Sequence, residues 1–202
     1  LVTILPATIS LSVLIPLIII IVLLFFNLQY KPLFASILKQ KNFPGSKSIG
    51  QDIIVGLITF GIGIFAYFFI NNLVYDIVTY YLGPIKQDQL AVQVLKENPI
   101  NLISVIILAP LLEEFLFRGL LQNAIRQRLT PLLSIIITSI IFALFHFSFS
   151  QKSLNLVLIP SLFVFSLFLC FSYEKTRSLI SSITLHVTFN TISGIYILYF
   201  NN

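Results

Sequence analysis

Six long apolar stretches, separated by short polar segments, constrain the fold of this chain more than any other feature. They cover residues 2–28, 53–78, 100–128, 132–149, 154–173 and 179–200. A helix needs about 20 mostly apolar residues to cross the hydrocarbon core of a bilayer. Only 9% of the residues are charged, against about 25% in soluble domains. The sequence therefore predicts an all-α fold, a polytopic transmembrane helix bundle with six spans in a single membrane-embedded domain, residues 1–202.

This predicted domain divides near Pro99 into two parts. Residues 1–98 contain the first two spans and a mixed stretch, residues 80–98, which is typical of an interfacial loop or a short amphipathic helix. Residues 99–202 contain the other four spans. Because the chain begins with leucine, we expect a further segment to precede it, which leaves the number of spans in the full-length protein open.

Basic residues in the loops predict the orientation of the bundle. Eight of them fall on one side of the membrane, namely Lys31, Lys39, Lys41, Lys47, Arg126, Arg128, Lys175 and Arg177, and three on the other, namely Lys86, Lys96 and Lys152. The side richer in lysine and arginine is normally cytoplasmic. We therefore expect both ends of the chain on the outer side. The net charge of +5 is spread over loops, and no basic run interleaved with aromatic residues indicates a nucleic-acid partner.

One of the predicted spans contains two adjacent carboxylates and an arginine. Glu113, Glu114 and Arg118 follow residues 100–112, which carry no charge. Ionisable groups at membrane depth are costly and mark a functional site by default. Glu114 and Arg118 have the spacing and order of a helical ion pair. Glu113 lies about 100° away around the helix and has no partner in its own segment. A structural salt bridge with a spare glutamate at the membrane surface is the alternative interpretation.

The two histidines of the chain also fall within predicted spans. His146 follows Pro131 by 15 residues, and Glu113 precedes Arg128 by the same number, so each lies roughly 22 Å from the turn between their helices. His186 and Asn190 share one face of the last helix. We therefore expect Glu113, His146, His186 and Asn190 to converge in one buried polar site.

These residue types could support hydrolysis of a peptide bond. A carboxylate removed from water can act as a general base on a water molecule, and a neighbouring imidazole can share the proton. A second imidazole and an amide can stabilise a developing oxyanion. A zinc hydrolase using Glu113, His146 and His186 is an alternative, although no HExxH helix is present. Either histidine could also serve only in helix–helix hydrogen bonding, and Asn190 only in packing.

Three elements of the sequence carry a family resemblance. Glu113-Glu114-x-x-x-Arg118, Phe142-x-x-x-His146 and His186-x-x-x-Asn190 occur in this order, and together they resemble the CPBP family. This is the CAAX protease and bacteriocin-processing family, also called Abi, which includes the Ras-converting CAAX endopeptidases. The resemblance covers residues 99–202.

The resemblance implies a glutamate-dependent intramembrane endopeptidase that uses no metal or other cofactor. Carried onto this chain, Glu113 and His146 would activate the water, and His186 and Asn190 would form the oxyanion site. The supporting residues would be Glu114, Arg118 and Phe142. The expected partners are the lipid bilayer and a peptide or membrane-protein substrate, and the expected location is the cell membrane of a prokaryote. Another alternative is a membrane scaffold or bacteriocin-immunity protein of the same fold that binds without cutting.

Overall fold

The computed structural model describes residues 48–85, 101–149 and 152–200, with the backbone alone at residues 101, 197, 198 and 200. These residues all lie in one compact unit, Phe43–Asn202. Within the described ranges there are five helical rods and no strand. They are α1 (Ile49–Leu82), α2 (residues 101–126), α3 (Pro131–Phe145), α4 (Leu154–Thr176) and α5 (Leu179–Phe200).

Helix α1 is longer than the predicted span, residues 53–78, at both ends. The Ser48 side chain accepts a hydrogen bond from the Gln51 N–H at 3.2 Å, as expected of an N-cap, and Gly83 ends the helix with a φ of 83°. The helix packs on α4 and α5. At Gly56 the contact is so close that an added Cβ would lie 2.5 Å from the Ser181 carbonyl oxygen. Small residues in α1 therefore set the helix spacing.

Helix α2 contains two wide π-helical stretches, which the apolar pattern does not predict. Its consecutive segments are Asn101–Ile103 (α), Ser104–Leu108 (π), Ala109–Glu114 (α), Phe115–Gln122 (π) and Asn123–Arg126 (α). In the first π stretch, the Ala109 N–H bonds the Ser104 carbonyl. The residue five positions after Val105 is Pro110, which has no N–H to donate. The carbonyl of Val105 is therefore left for a partner from another helix.

Helix α3 ends earlier than the predicted span, residues 132–149. Thr130 caps it by accepting a hydrogen bond from the Leu133 N–H, and Pro131 occupies its first turn, where proline is favoured. The helix stops at Phe145, and His146 is its C-cap residue with φ −88° and ψ 2°. The prediction that the fourth helix continues through His146 to residue 149 is therefore wrong, and the depth of His146 in the membrane stays a prediction. After the end of α3, the side-chain amide of Asn155 in α4 bonds both the N–H and the carbonyl of Ser148. These two hydrogen bonds stabilise the segment in which the chain leaves α3.

Helices α4 and α5 form a hairpin through a tight turn at Arg177. This residue adopts the left-handed conformation, with a φ of 54°, and its N–H bonds the Tyr173 carbonyl at 2.7 Å. Helix α5 has the predicted bounds, and α4 runs three residues beyond its predicted end, residue 173. Helix α4 lies against α1, α3 and α5. Its buried face carries several serines, which match the close packing of helices in lipid.

The described ranges confirm the all-helical prediction but not the six spans. Two of the described helices, Ile49–Leu82 and Leu154–Thr176, are long and apolar enough to cross a membrane, and Pro131–Phe145 is apolar but shorter. The first predicted span, residues 2–28, lies outside the described residues, as does most of the mixed stretch, residues 80–98. Both the orientation of the bundle and the single-domain organisation stay predictions.

Candidate active site

The ion pair expected from the helical spacing is present. Arg118 Nη1 donates to Glu114 Oε1 at 2.9 Å, and both side chains are fully buried. The two residues lie on either side of the change from α to π geometry in α2, and the pair spans this change. Charged groups removed from water are tolerated when they are paired and hydrogen-bonded. Arg118 therefore makes an ionised Glu114 possible inside the bundle.

Two further contacts hold the Arg118 guanidinium. Its Nη2 donates to Ser166 Oγ of α4 at 2.7 Å. The Phe142 ring of α3 lies beneath the guanidinium, with 4.7 Å between the Arg118 Cζ and the ring centroid, within the range of a cation–π contact. Arg118 thus connects α2 with both α3 and α4.

His186 of α5 bridges the two adjacent glutamates. Its Nδ1 lies 2.8 Å from Glu114 Oε1, and its Nε2 lies 3.8 Å from Glu113 Oε2. Because Arg118 pairs with the same oxygen of Glu114, this carboxylate is an acceptor, so the Nδ1–H of His186 donates to it. The hydrogen bond at Nδ1 directs Nε2 of the imidazole toward Glu113.

His146 approaches Glu113 from the end of α3. Its Nδ1 donates to the Phe142 carbonyl at 2.8 Å, and its Nε2 lies 3.9 Å from Glu113 Oε2. The Phe142 ring stacks at 4.6 Å between centroids. Since the backbone carbonyl can only accept, Nδ1 of His146 carries a proton and Nε2 is directed at the carboxylate.

The carboxylate of Glu113 is therefore the point where three helices meet. One of its oxygens lies within 3.9 Å of the Nε2 atoms of both His146 and His186, and the side chain is only 9% exposed. The equal distances of Glu113 and His146 from the turn at Thr130-Pro131 predict this meeting, although His146 reaches it from a helix end. Glu114, by contrast, contacts only His186 of the two histidines.

Asn190, one turn of α5 after His186, bonds the backbone of α2. Its Nδ2 donates to the Val105 carbonyl at 2.9 Å, the carbonyl that Pro110 cannot satisfy within α2. The expectation that Asn190 converges with Glu113, His146 and His186 stays a prediction. This contact explains why an amide suits position 190, since the half-buried Val105 carbonyl is less favourable without a hydrogen-bond partner.

The cluster of Glu113, His146 and His186 can accept and return protons. Both imidazoles carry a fixed proton on Nδ1 and turn their second nitrogen toward the same carboxylate oxygen. Distances of 3.8 and 3.9 Å exceed a direct hydrogen bond, but they suit a water molecule that bonds the carboxylate and one imidazole together. Among the described residues, no group of three or more His, Cys, Asp or Glu side chains has the geometry to hold a metal ion.

Ser166 and Phe142 contribute in ways that the sequence did not indicate. Ser166 is one of several buried serines on α4, and nothing in its local sequence distinguishes it. Phe142 was expected to be a supporting residue, without a stated contact, and its backbone carbonyl accepts the hydrogen bond that fixes the His146 ring. Phe142 and His146 are four residues apart in the sequence, and this i, i+4 spacing could have indicated their contact.

Comparisons with known proteins bear on the same part of the chain. Residues 96–192 match the model of the family described as type II CAAX prenyl endopeptidase Rce1-like. A protein from Escherichia coli, described as "Uncharacterized 24.3 kDa protein", is 31% identical over 99 residues, which are 48% of this chain and 44% of that protein. The match therefore spans less than half the length of this relative. No solved structure matches the chain.

The match with the Rce1-like model confirms the resemblance to the CPBP family over residues 96–192. All the motif residues, from Glu113 to Asn190, lie within this range. The Rce1-like family is a membrane-embedded protease family, and some of its members are non-catalytic. The two helices that are long and apolar enough to cross a membrane fit this setting.

Proposed function

We propose that this chain, whose residues 96–192 form an Rce1-like domain, is an intramembrane endopeptidase in which Glu113 activates the attacking water. The observation that carries the proposal is the meeting of Glu113 Oε2 with the Nε2 atoms of His146 and His186, at 3.9 and 3.8 Å, in a buried site. A structural salt bridge needs only Glu114 and Arg118. It gives no reason for a second carboxylate facing two imidazoles.

Glu113 and His146 would act together on the water. The water oxygen attacks the carbonyl carbon of the scissile peptide bond while Glu113 takes one of its protons, and His146 Nε2 accepts a hydrogen bond from the other. Glu113 then returns the proton to the nitrogen of the leaving amine as the carbon–nitrogen bond breaks. The fixed Nδ1–H of His146 keeps its Nε2 available as the acceptor.

His186 and Asn190 would stabilise the oxyanion. With its Nδ1–H bonded to Glu114, His186 would donate to the oxyanion from Nε2 in the doubly protonated form of its ring. Asn190 uses one amide hydrogen on the Val105 carbonyl and keeps the second for substrate. Donors directed at a developing negative charge commonly give one of the largest contributions to catalysis.

The substrate is proposed by class. The printed family name points to a prenylated CAAX protein, whereas a bacterial member more naturally cuts a peptide precursor or a segment of a membrane protein. The proposed setting is the cell membrane of a prokaryote. In either case the scissile bond must reach the carboxylate of Glu113 between α2, α3 and α5.

The decisive experiment uses Glu113→Gln in protein reconstituted into liposomes. The probes are a quenched-fluorescence peptide ending in a farnesylated CAAX sequence and the same peptide without the lipid. We expect the wild type to cleave at least one of them. Glu113→Gln should be slower by about 10²–10⁴-fold, the usual contribution of a general base. Glu174→Gln is the matched control, because Glu174 pairs with Arg126 and Arg177 away from the site.

The alternatives predict different results. A zinc hydrolase would lose activity with a chelator and recover it with added zinc, and the Glu113, His146 and His186 variants would lose bound metal. A scaffold or immunity protein would cleave neither peptide, and Glu113→Gln would keep its function in cells at wild-type abundance. Equal cleavage by Glu113→Gln and by the wild type would end the proposal.

A further inference from the structure

A chain of hydrogen bonds connects the site with α4. The motif residues lie on α2, α3 and α5, whereas α4 carries none of them. Ser166 Oγ accepts from Arg118 Nη2 at 2.7 Å, and Arg118 Nη1 donates to Glu114 Oε1 at 2.9 Å. His186 Nδ1 donates to the same oxygen at 2.8 Å. Ser166, Arg118 and Glu114 are 0% exposed and His186 is 4% exposed. Such a connected buried network acts as one unit.

The guanidinium of Arg118 depends on Ser166 for its orientation. The Phe142 ring lies against its face and so opposes tilting, but it does not oppose rotation within the guanidinium plane. Within the described part of the chain, Arg118 Nε has no hydrogen-bond partner. Nη1 and Nη2 therefore fix the rotation, and they do so through Glu114 and Ser166 respectively.

We propose that Ser166 is a positioning residue for His186, acting through Arg118 and Glu114. The serine hydroxyl fixes the guanidinium, the guanidinium fixes the Glu114 carboxylate, and the carboxylate sets the direction in which His186 presents Nε2 to Glu113. The effect on catalysis rests on the function proposed above. The hydrogen-bonded chain itself can be tested without any substrate.

The test is nuclear magnetic resonance of protein labelled with ¹⁵N in the histidine rings and held in lipid nanodiscs. The chain has two histidines, so its four ring nitrogens can be assigned with His146→Gln. We expect Ser166→Ala to shift the ring signals of His186. Its Nδ1–H should exchange with water about tenfold faster, the ratio that corresponds to the net contribution of about one hydrogen bond. The signals of His146 should not move.

Ser161→Ala is the matched control. Ser161 is also on α4 and equally buried, but its hydroxyl bonds the Val157 carbonyl and the side chain of Asn71. This variant should leave both histidines unchanged. Ser166→Thr retains the hydroxyl and should restore the slow exchange at His186. If the peptide assay detects cleavage, Ser166→Ala should lower kcat with little change in KM.

Three outcomes would overturn the proposal. The first is an unchanged His186 in Ser166→Ala. The second is an equal disturbance of both rings by Ser161→Ala, which would mean general loosening of α4. The third is failure of both Ser166→Ala and Ser166→Cys to fold, because Ser166 would then serve stability alone. If the protein cleaves no peptide but Ser166→Ala shifts the His186 signals, the hydrogen-bonded chain is supported and only the proposed protease function is refuted.

Discussion

Removal of the Arg118 guanidinium tests the idea that the buried ion pair makes an ionised Glu114 possible. In Arg118→Met, the unbranched stem remains, but Glu114 becomes a fully buried carboxylate that keeps the hydrogen bond from His186 and has lost its cationic partner. Breaking a buried ion pair by removing one partner costs about 3–5 kcal/mol. For a chain of this size, each kcal/mol lowers Tm by about 2–4 °C, so Tm should fall by roughly 6–20 °C.

Two comparisons give this prediction its specificity. Arg126→Met breaks a pair at the rim, where Glu174 keeps Arg177 at 2.7 Å and the Arg126 side chain is 32% exposed. Its cost should be at most about 1 kcal/mol. The double variant Glu114→Gln with Arg118→Met removes both charges of the pair, and it should be more stable than Arg118→Met alone.

The assay is thermal unfolding in lipid nanodiscs, followed by the helical circular dichroism signal. The reasoning fails if Arg118→Met and Arg126→Met lower Tm equally. It also fails if the double variant is less stable than Arg118→Met, because Glu114 would then contribute stability without its cationic partner. A double-mutant cycle on the pair gives the coupling energy directly.

Two further predictions use the same thermal assay. Asn190→Leu should cost about 0.5–1.5 kcal/mol because the half-buried Val105 carbonyl loses its hydrogen bond. Pro110→Ala, which restores an N–H to α2, should recover part of that loss, and additive effects of the two changes would contradict this explanation. Gly56→Ala should be destabilising because its Cβ would lie 2.5 Å from a carbonyl oxygen of α5. Gly61→Ala, whose Cβ would have nothing within 4 Å, should be neutral or slightly stabilising. Equal Tm values for the two variants would refute the close approach of the helices at Gly56.

Much of the site could be predicted because it depends on regular helical geometry. The spacing of Glu114 and Arg118 defines their ion pair, and the distances of Glu113 and His146 from one turn define their common depth. These inferences need only a rise per residue and an angle per residue. The catalytic roles assigned to these residues stay predictions, because geometry alone does not show a reaction.

The departures come from contacts that no local pattern encodes. Residues 145–149 remain largely apolar, so the hydropathy pattern does not indicate that α3 ends at Phe145 with His146 as its C-cap. The bend that follows is stabilised by the Asn155 side chain of α4, which bonds the backbone of Ser148. The same holds for the bond between His186 and Glu114, which joins residues 72 positions apart. Asn190 was assigned by its spacing from His186, but its amide is directed by a carbonyl left open by Pro110. Tertiary contacts decide each of these positions.

The second wide stretch of α2, Phe115–Gln122, separates two ends of the helix that have different partners. On one side, Glu113 and Glu114 meet α3 and α5. At its far end, Gln122, the last residue of the stretch, bonds the Cys170 carbonyl of α4, and Asn123, the next residue, bonds the Tyr173 hydroxyl. Each residue turns an α-helix by about 100°, so deletion of one residue here would leave the rod intact while rotating one set of side chains away from its partners. The wider turns of this stretch change the angle around the helix axis between the residues before it and those after it. One continuous helix can therefore direct Glu113 and Glu114 toward α3 and α5 and also direct Asn123 toward α4, which an unbroken α-helix of the same sequence would not do.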